Sequence, residues 1–83
     1  MPSPAKLAAV KIDPGSPEHP YRQLARQLRE QIESGEIASQ LPSITDLTEE
    51  TGLAVGTVRR AIDILVQEGL VQTVPGRGTF IRR

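Results

Sequence analysis

The sequence predicts a mainly α-helical domain in which three helices are followed by a small β-hairpin. Apolar residues recur every three or four positions in three successive segments, which is typical of amphipathic helices. Each of these segments is followed by a glycine, which favours a helix C-terminus there. Two later segments flank the turn sequence Pro-Gly-Arg-Gly at residues 75–78, as in a hairpin. The 83 residues are enough for one such domain and too few for two.

The first predicted helix covers residues 20–34 and ends at Gly35. Pro20 suits its first turn, because the N–H that proline lacks would have no partner there. Residues 1–17 are rich in proline and are predicted to form an extended tail, in which residues 8–12 have the composition of a short strand. The apolar stripe of the helix consists of Tyr21, Leu24, Ala25, Leu28 and Ile32.

The second and third predicted helices are joined by a short turn. Pro42 excludes an earlier start for the second helix, and Ser43 can cap it, with Asp46 three residues later as in a capping box. This helix ends at Gly52, and the third helix covers residues 55–68. Two short helices joined by a glycine-containing turn are typical of a helix-turn-helix. The apolar stripe of the third helix consists of Val58, Ala61, Ile62 and Leu65.

Two predicted strands, residues 70–74 and 79–82, follow the third helix. A β-hairpin at this place is the wing of a winged helix-turn-helix. The sequence therefore predicts a winged helix-turn-helix domain over residues 18–83, preceded by the extended tail of residues 1–17.

The distribution of charge favours DNA as a partner more than the net charge does. The formal net charge is zero, but residues 1–53 carry five basic and eight acidic side chains. Residues 54–83, which contain the third helix and the hairpin, carry five arginines and two acidic side chains. Because the total is neutral, we expect weaker long-range attraction to nucleic acid than a strongly basic domain would show.

Other classes of function find little support in the sequence. The absence of cysteine excludes disulfides and cysteine-based zinc sites, and the single histidine, His19, has no second histidine to share a metal. No phosphate-binding glycine motif or catalytic acid–base pair occurs, so we expect no enzyme activity, cofactor or metal. No apolar segment is long enough for a secretory signal or a membrane span, and we expect a cytoplasmic protein.

The third helix and the hairpin contain the predicted DNA contacts. The second helix of a helix-turn-helix places its N-terminal residues against base edges in the major groove. Arg59 can bridge phosphates or bind guanine, and Thr57 can bind phosphate or a thymine methyl group. Arg77 can enter the minor groove. The contact residues predicted on these two elements are Val55, Gly56, Thr57, Arg59, Arg60, Gly76, Arg77 and Gly78.

Most of these residues also have a structural interpretation that involves no DNA. Arg59 and Asp63 are four residues apart and could form a surface ion pair. Thr57 could be an ordinary surface residue, and Arg77 could be a solvated turn residue. Ser43 can cap a helix and lie near a phosphate at the same time.

Several motifs follow one another in a characteristic order: Pro-Tyr-Arg-Gln-Leu at 20–24, Ser-Gly-Glu-Ile at 34–37, Leu-Pro-Ser at 41–43, Thr-Gly-Leu at 51–53, Gly-Thr-Val-Arg-Arg-Ala at 56–61, Glu-Gly-Leu-Val at 68–71 and Pro-Gly-Arg-Gly-Thr-Phe at 75–80. Together they resemble the N-terminal DNA-binding domain of GntR-family transcriptional regulators, over about residues 18–82. The resemblance implies a repressor-like regulator that binds a palindromic operator as a homodimer. Carried over to this chain, the DNA contacts of the family fall on Ser43, Thr45, Ala54, Val55, Gly56, Thr57, Arg59, Gly76 and Arg77.

The chain departs from the family pattern at three of these contacts. Many members have arginine at the positions of Thr45 and Val55, and a serine or threonine cap where Ala54 stands. Each lost arginine–guanine pair removes about 1–3 kcal/mol of discrimination, so we expect a different operator, in which Val55 packs on a thymine methyl group.

Members of the family normally continue into a C-terminal domain that binds an effector and dimerises. This chain stops at Arg83, so we expect no effector pocket within it. The chain is either the N-terminal domain of a longer regulator or a stand-alone regulator. In the second case it would dimerise through its own surface, with Ile64, Val66 and residues 5–12 as candidate contacts.

The sequence therefore predicts a non-enzymatic transcriptional regulator that binds double-stranded DNA. The alternative is a winged helix that binds a protein partner instead of DNA, which the zero net charge and the two missing arginines favour. This alternative predicts no affinity for duplex DNA even at low salt.

Overall fold

Residues 10–82 are the part of the chain that the structure, a computed structural model, describes. The predicted fold class is confirmed: three helices precede a two-stranded antiparallel hairpin, as in a winged helix-turn-helix. The elements in chain order are α1 (Pro20–Ser34), α2 (Ile44–Thr51), α3 (Val55–Gln67), β1 (Val71–Val74) and β2 (Gly78–Ile81).

The helix ends lie close to where local chemistry predicts them. α1 has the predicted bounds, and α2 begins after Ser43, whose hydroxyl oxygen accepts a hydrogen bond from the backbone N–H of Asp46 (3.0 Å). α3 ends at Gln67, one residue earlier than predicted. The N–H of Leu70 then bonds the carbonyl of Leu65 (3.1 Å), which satisfies one of the carbonyls left open at this helix end.

An aliphatic core lies between the three helices and β1. α1 and α2 both pack against α3, and the four residues of the predicted α3 stripe are all buried. This packing fixes the rotation of α3 about its own axis, so that the opposite face of the helix lies in solvent. The largest fully buried side chains are those of Leu24, Leu28, Leu47, Val58, Leu65 and Val71.

The buried face of α1 differs from the predicted stripe at its edges. Tyr21 and Ile32 are only partly buried, whereas Gln23 and Gln31 are buried. The side chain of Gln23 has an exposed fraction of 2%. Its Oε1 accepts a hydrogen bond from the N–H of Asp13 (2.7 Å), and its Nε2 donates to the carbonyls of Asp13 (2.9 Å) and Glu18 (2.7 Å).

The described end of the predicted tail lies along α1. Gln27 exchanges two hydrogen bonds with the backbone of Lys11 (3.0 and 2.7 Å), and Val10 is buried in the core. Residues 10–12 form no strand, so this part of the predicted short strand is wrong, because glutamine side chains satisfy the backbone groups that a partner strand would have bonded. Residues 8 and 9 lie outside the described residues.

The hairpin has a third neighbour from the segment between α1 and α2. β1 and β2 pair from Val71 opposite Ile81 to Val74 opposite Gly78, within one residue of the predicted bounds. On the free edge of β2, the N–H of Leu41 bonds the carbonyl of Thr79 (2.9 Å), and the N–H of Ile81 bonds that of Ser39 (2.8 Å). The wing is therefore held on both edges of β2.

Candidate DNA-binding surface

The N-terminal half of α3 presents most of its predicted contact residues to solvent. The buried stripe of α3 faces the core, and at 100° per residue the side chains between its members point away from it. Gly56, Arg59 and Arg60 are exposed, Thr57 is half-buried, and Val55 keeps 48% of its surface although it is apolar. The structure thus places these five predicted residues around the start of α3, outside its buried stripe, with Val55 and Thr57 at the two edges of the set.

Arg59 has no partner among residues 10–82. The predicted alternative of an ion pair with Asp63 is not observed, and the Arg59 side chain makes no hydrogen bond within the described part of the chain. In this pair the basic residue precedes the acidic one, which is the weaker order for charges four residues apart on a helix. The guanidinium therefore keeps its charge and its donors for an external acceptor.

The start of α3 is open to an anion. The first hydrogen bond of the helix runs from the N–H of Val58 to the carbonyl of Ala54 (3.0 Å), so the N–H groups of residues 55–57 have no acceptor within the helix. Ala54 provides no side-chain cap, and the first turn contains no acidic residue. Together with the helix dipole, these groups attract a negative charge such as a phosphate.

The start of α2 contributes two exposed polar side chains, those of Ser43 and Thr45. The Ser43 oxygen accepts from Asp46, as predicted for a cap, and its hydroxyl hydrogen stays available to donate. The rest of the exposed α2 surface is acidic, with Glu49 and Glu50 in its second turn. Asp46 is also exposed in the first turn, so Ser43 and Thr45 are the uncharged polar groups that this helix end offers to an external partner.

The wing turn places Arg77 at its tip. The N–H of Arg77 bonds the carbonyl of Val74 (2.9 Å), and Gly76 between them has a φ of 75°, which suits glycine at the third position of a Pro-Gly turn. The side chain of Arg77 is exposed and makes no hydrogen bond or ion pair within residues 10–82. Its guanidinium is therefore available to an external acceptor.

Gly78, which was predicted as a DNA contact, also has an internal role. Its φ is 120°, and a Cβ atom on it would lie 2.7 Å from Nε2 of Gln40. That same Nε2 donates a hydrogen bond to the carbonyl of Arg77 (3.2 Å), and Gln40 forms a β-bridge with Phe80. The missing side chain of Gly78 thus makes room for Gln40. Sequence reasoning missed Gln40, because nothing in the local pattern indicates which residue meets the wing.

Ion pairs neutralise other arginines but not those on the candidate surface. Arg26 pairs with Glu18 (3.0 Å), and Arg29 pairs through two hydrogen bonds with Glu68 (2.8 and 2.9 Å). Hydrogen bonding to these glutamates raises the pKa of both arginines. Among the described residues Arg59, Arg60 and Arg77 have no such pair, so the arginines of α3 and the wing turn keep their positive charge uncompensated.

The described residues contain neither a candidate metal site nor a candidate membrane-spanning helix. No group of three or more histidine, aspartate and glutamate side chains within residues 10–82 is arranged to hold a metal ion. In the same residues no helix combines the length and the apolar character that crossing a membrane requires.

Curated relatives of the chain are bacterial regulators. NagR, an HTH-type transcriptional repressor of Bacillus subtilis (strain 168), is 40% identical over 76 residues, which make up 89% of this chain and 31% of NagR. MngR, the mannosyl-D-glycerate transport/metabolism system repressor of Escherichia coli (strain K12), is 38% identical over 64 residues, 75% of this chain and 27% of MngR. The chain therefore spans about a third or less of the length of these two relatives.

Solved structures with the same fold include proteins bound to DNA. YtrA from Sulfolobus acidocaldarius, a GntR-family transcription factor, superposes with a TM-score of 0.82 at 35% identity, covering 92% of this chain and 82% of that one. AraR(DBD) in complex with operator ORE1 has a TM-score of 0.72 at 33% identity, covering 75% and 78%. The family model described as bacterial regulatory proteins, gntR family, matches residues 20–81. The chain thus belongs to the GntR family of bacterial regulatory proteins.

Proposed function

We propose that the chain binds double-stranded DNA sequence-specifically as part of a transcriptional regulator, and that it represses by occluding a promoter. The observation that carries this proposal is the unpaired guanidinium of Arg59 beside the uncapped start of α3. A charged group with five free N–H donors, next to open backbone N–H groups, suits the phosphates and guanine edges of a major groove. The relatives named above include repressors, and AraR(DBD) has been solved with an operator.

We assign each contact by its chemistry. Arg59 and Thr57 bind in the major groove, Arg77 binds in the adjacent minor groove, and Ser43 donates to a phosphate. Val55 packs on a thymine methyl group, because an exposed valine at the groove-facing end of α3 has no polar atom to offer a base. The remaining proposed contacts are Thr45, Ala54, Gly56, Arg60, Gly76 and Gly78.

The regulator is proposed to act in the cytoplasm as a homodimer on an inverted-repeat operator, without catalysis. Residues 18–83 form the DNA-binding unit, to which the last residues of the 1–17 segment contribute by lying along α1. Ile64 and Val66 on α3 remain candidate dimer contacts: Ile64 is partly buried, and Val66 keeps 37% of its surface. Residues 5–9, also proposed for this contact, lie outside the described residues.

Selection from a randomised duplex pool, at about 50 and about 200 mM salt, tests the proposal. We expect an inverted repeat to be enriched, with affinity that falls steeply as salt rises, because phosphate contacts release counterions. An adenine–thymine pair is expected at the position that Val55 meets. Recovery of no duplex at either salt would overturn the proposal and favour a winged helix that binds a protein partner.

Arg59→Ala is the variant that tests the docking geometry. We expect at least about a tenfold loss of operator affinity, the size of one good guanidinium contact, with an unchanged unfolding midpoint. Arg26→Ala is the matched control, because it removes the same charge from a side chain that is paired with Glu18. Equal affinities of the two variants would contradict the assignment of Arg59.

A further inference from the structure

Tyr21 of α1 carries the guanidinium of Arg60 on its ring. The Cζ atom of Arg60 lies 4.3 Å from the ring centroid, within the range of a cation–π interaction. Two more groups surround the same residue. The Cζ of Arg22 lies 5.5 Å from the ring centroid, and its Nε donates a hydrogen bond to the Tyr21 hydroxyl (3.3 Å). The ring of His19 is stacked at 5.8 Å with an interplanar angle of 17°. The contact joins α1 to the solvent-facing side of α3.

The way in which Arg60 is held differs from the way in which Arg29 is held. A glutamate fixes Arg29 by two hydrogen bonds, which cancels its charge and occupies its donors. The ring of Tyr21 holds Arg60 by a cation–π contact that brings no negative charge, and the Arg60 guanidinium donates no hydrogen bond among the described residues, so its charge is not cancelled and its N–H donors stay free. Among residues 10–82 neither Arg60 nor Arg22 takes part in an ion pair.

The position of Arg60 on the ring of Tyr21 indicates which part of a DNA duplex its guanidinium would meet. Arg60 follows Arg59 by 100° around α3, and its guanidinium lies over the ring of Tyr21 on α1. A helix seated in a major groove has base edges beneath it and phosphates along both flanks. A guanidinium held at the flank meets a phosphate, which has the same geometry in every base sequence.

We propose that Tyr21 is a positioning residue that holds Arg60 for a contact with the DNA backbone at the α1 side of the groove. This inference rests on the proposed function and adds a residue of α1 to it. Arg60 then contributes affinity without sequence preference, while Arg59 reads bases. The ring restricts the flexible side chain of Arg60 before DNA arrives, so less rotamer freedom is lost on binding.

A double-mutant cycle in DNA binding tests this inference. The variants are Tyr21→Leu, Tyr21→Phe, Arg60→Gln and the combination of Tyr21→Leu with Arg60→Gln, each measured on the selected operator and on an unrelated duplex over a range of salt. We expect Arg60→Gln to weaken both duplexes by a similar factor, about tenfold, and to reduce the salt slope by about one unit. We expect Tyr21→Leu to weaken binding about threefold to fivefold, part of that effect. Tyr21→Phe keeps the ring under Arg60 and loses only the hydrogen bond from Arg22, so we expect it to bind nearly as the wild type does.

The combined variant separates positioning from a general structural role. If Tyr21 acts through Arg60, Tyr21→Leu has no further effect once Arg60 is glutamine. Additive losses, or a Tyr21→Phe variant as weak as Tyr21→Leu, would overturn the inference while leaving the proposed function intact. Absence of duplex binding by the wild type would instead overturn the proposed function and the backbone contact with it. Urea denaturation of each variant verifies that it is folded under the conditions of the binding assay.

Discussion

Replacing Gly78 with alanine tests how the wing is built. Two features of this position resist a side chain: its φ of 120° lies outside the region that L-residues adopt readily, and the new Cβ would lie 2.7 Å from Nε2 of Gln40. Gly76, two residues earlier, also has a positive φ but has no atom close to the position of a Cβ. Its φ is 75°, and no atom lies within 4 Å of the position that its Cβ would occupy. The two glycines therefore form a matched pair.

The expected costs follow from these geometries. For Gly76→Ala the left-handed backbone costs about 1–2 kcal/mol. For Gly78→Ala the backbone costs up to about 3 kcal/mol, because φ is further from the left-handed minimum. In addition, Gln40 must move and lose its hydrogen bond to the Arg77 carbonyl, which contributes about 1 kcal/mol. We expect Gly78→Ala to lower the free energy of unfolding by about 2 kcal/mol more than Gly76→Ala.

Urea denaturation followed by circular dichroism measures both variants, since the loss predicted for Gly78→Ala is a large part of the stability of a domain of this size. Gln40→Ala provides a second test, because it removes the obstacle while leaving the backbone unchanged. In that background the cost of Gly78→Ala should fall by about 1 kcal/mol. Equal losses for the two glycine variants, or a cost of Gly78→Ala that does not depend on Gln40, would refute the reasoning.

Three further predictions concern other contacts. Gln23→Ala should cost about 2–3 kcal/mol in thermal unfolding, because it removes three hydrogen bonds from a buried side chain, whereas Gln27→Ala, with two exposed bonds, should cost less than about 1 kcal/mol. Arg29→Ala and Glu68→Ala should each cost at most about 1 kcal/mol in urea, since the side chains of this pair are 31% and 39% exposed and solvent screens it. Asp63→Asn should tighten duplex binding about twofold to threefold at 50 mM salt and have little effect at 500 mM, because it removes a negative charge from the exposed face of α3.

Each of these predictions has a result that would count against it. If Gln23→Ala and Gln27→Ala lowered the free energy of unfolding equally, the hydrogen bonds of the buried Gln23 would contribute no more to stability than the exposed bonds of Gln27. Fully additive losses in a double variant of Arg29 and Glu68 would show that the two side chains do not stabilise each other. An effect of Asp63→Asn that persists unchanged at high salt would indicate a specific contact rather than repulsion.

The secondary structure is predicted well from the sequence, because helix spacing, capping and turn motifs each depend on residues that are close together in the chain. The bounds of α1, the serine cap of α2 and the buried stripe of α3 all follow from spacing and capping chemistry within one or two helical turns. The exposed position of Arg59 follows in turn, since the stripe determines which side of α3 faces solvent. The wing was predicted for the same reason, from a Pro-Gly turn between two short apolar segments.

The sequence predicts least well the hydrogen bonds and ion pairs of polar side chains, because their partners are not determined by local spacing. The pattern of α1 did not predict that Gln23 is buried, because the backbone groups that it bonds belong to an extended segment with no periodicity of its own. The spacing of Arg59 and Asp63 allowed an ion pair that does not form. An i,i+4 spacing states only that two side chains can meet, and it does not exclude their exposure to water.

What the sequence determined by itself is the order of the elements, the apolar face of α3 and the arginines that the opposite face presents. Only the tertiary structure decided that Gln40 occupies the space beside Gly78, and that Tyr21 of α1 lies under Arg60 of α3. These partners are 38 and 39 residues apart in the chain. Their contact depends on how the segment before α2 meets the wing and how α1 packs on α3, which is set by burial of the whole aliphatic core rather than by any local pattern.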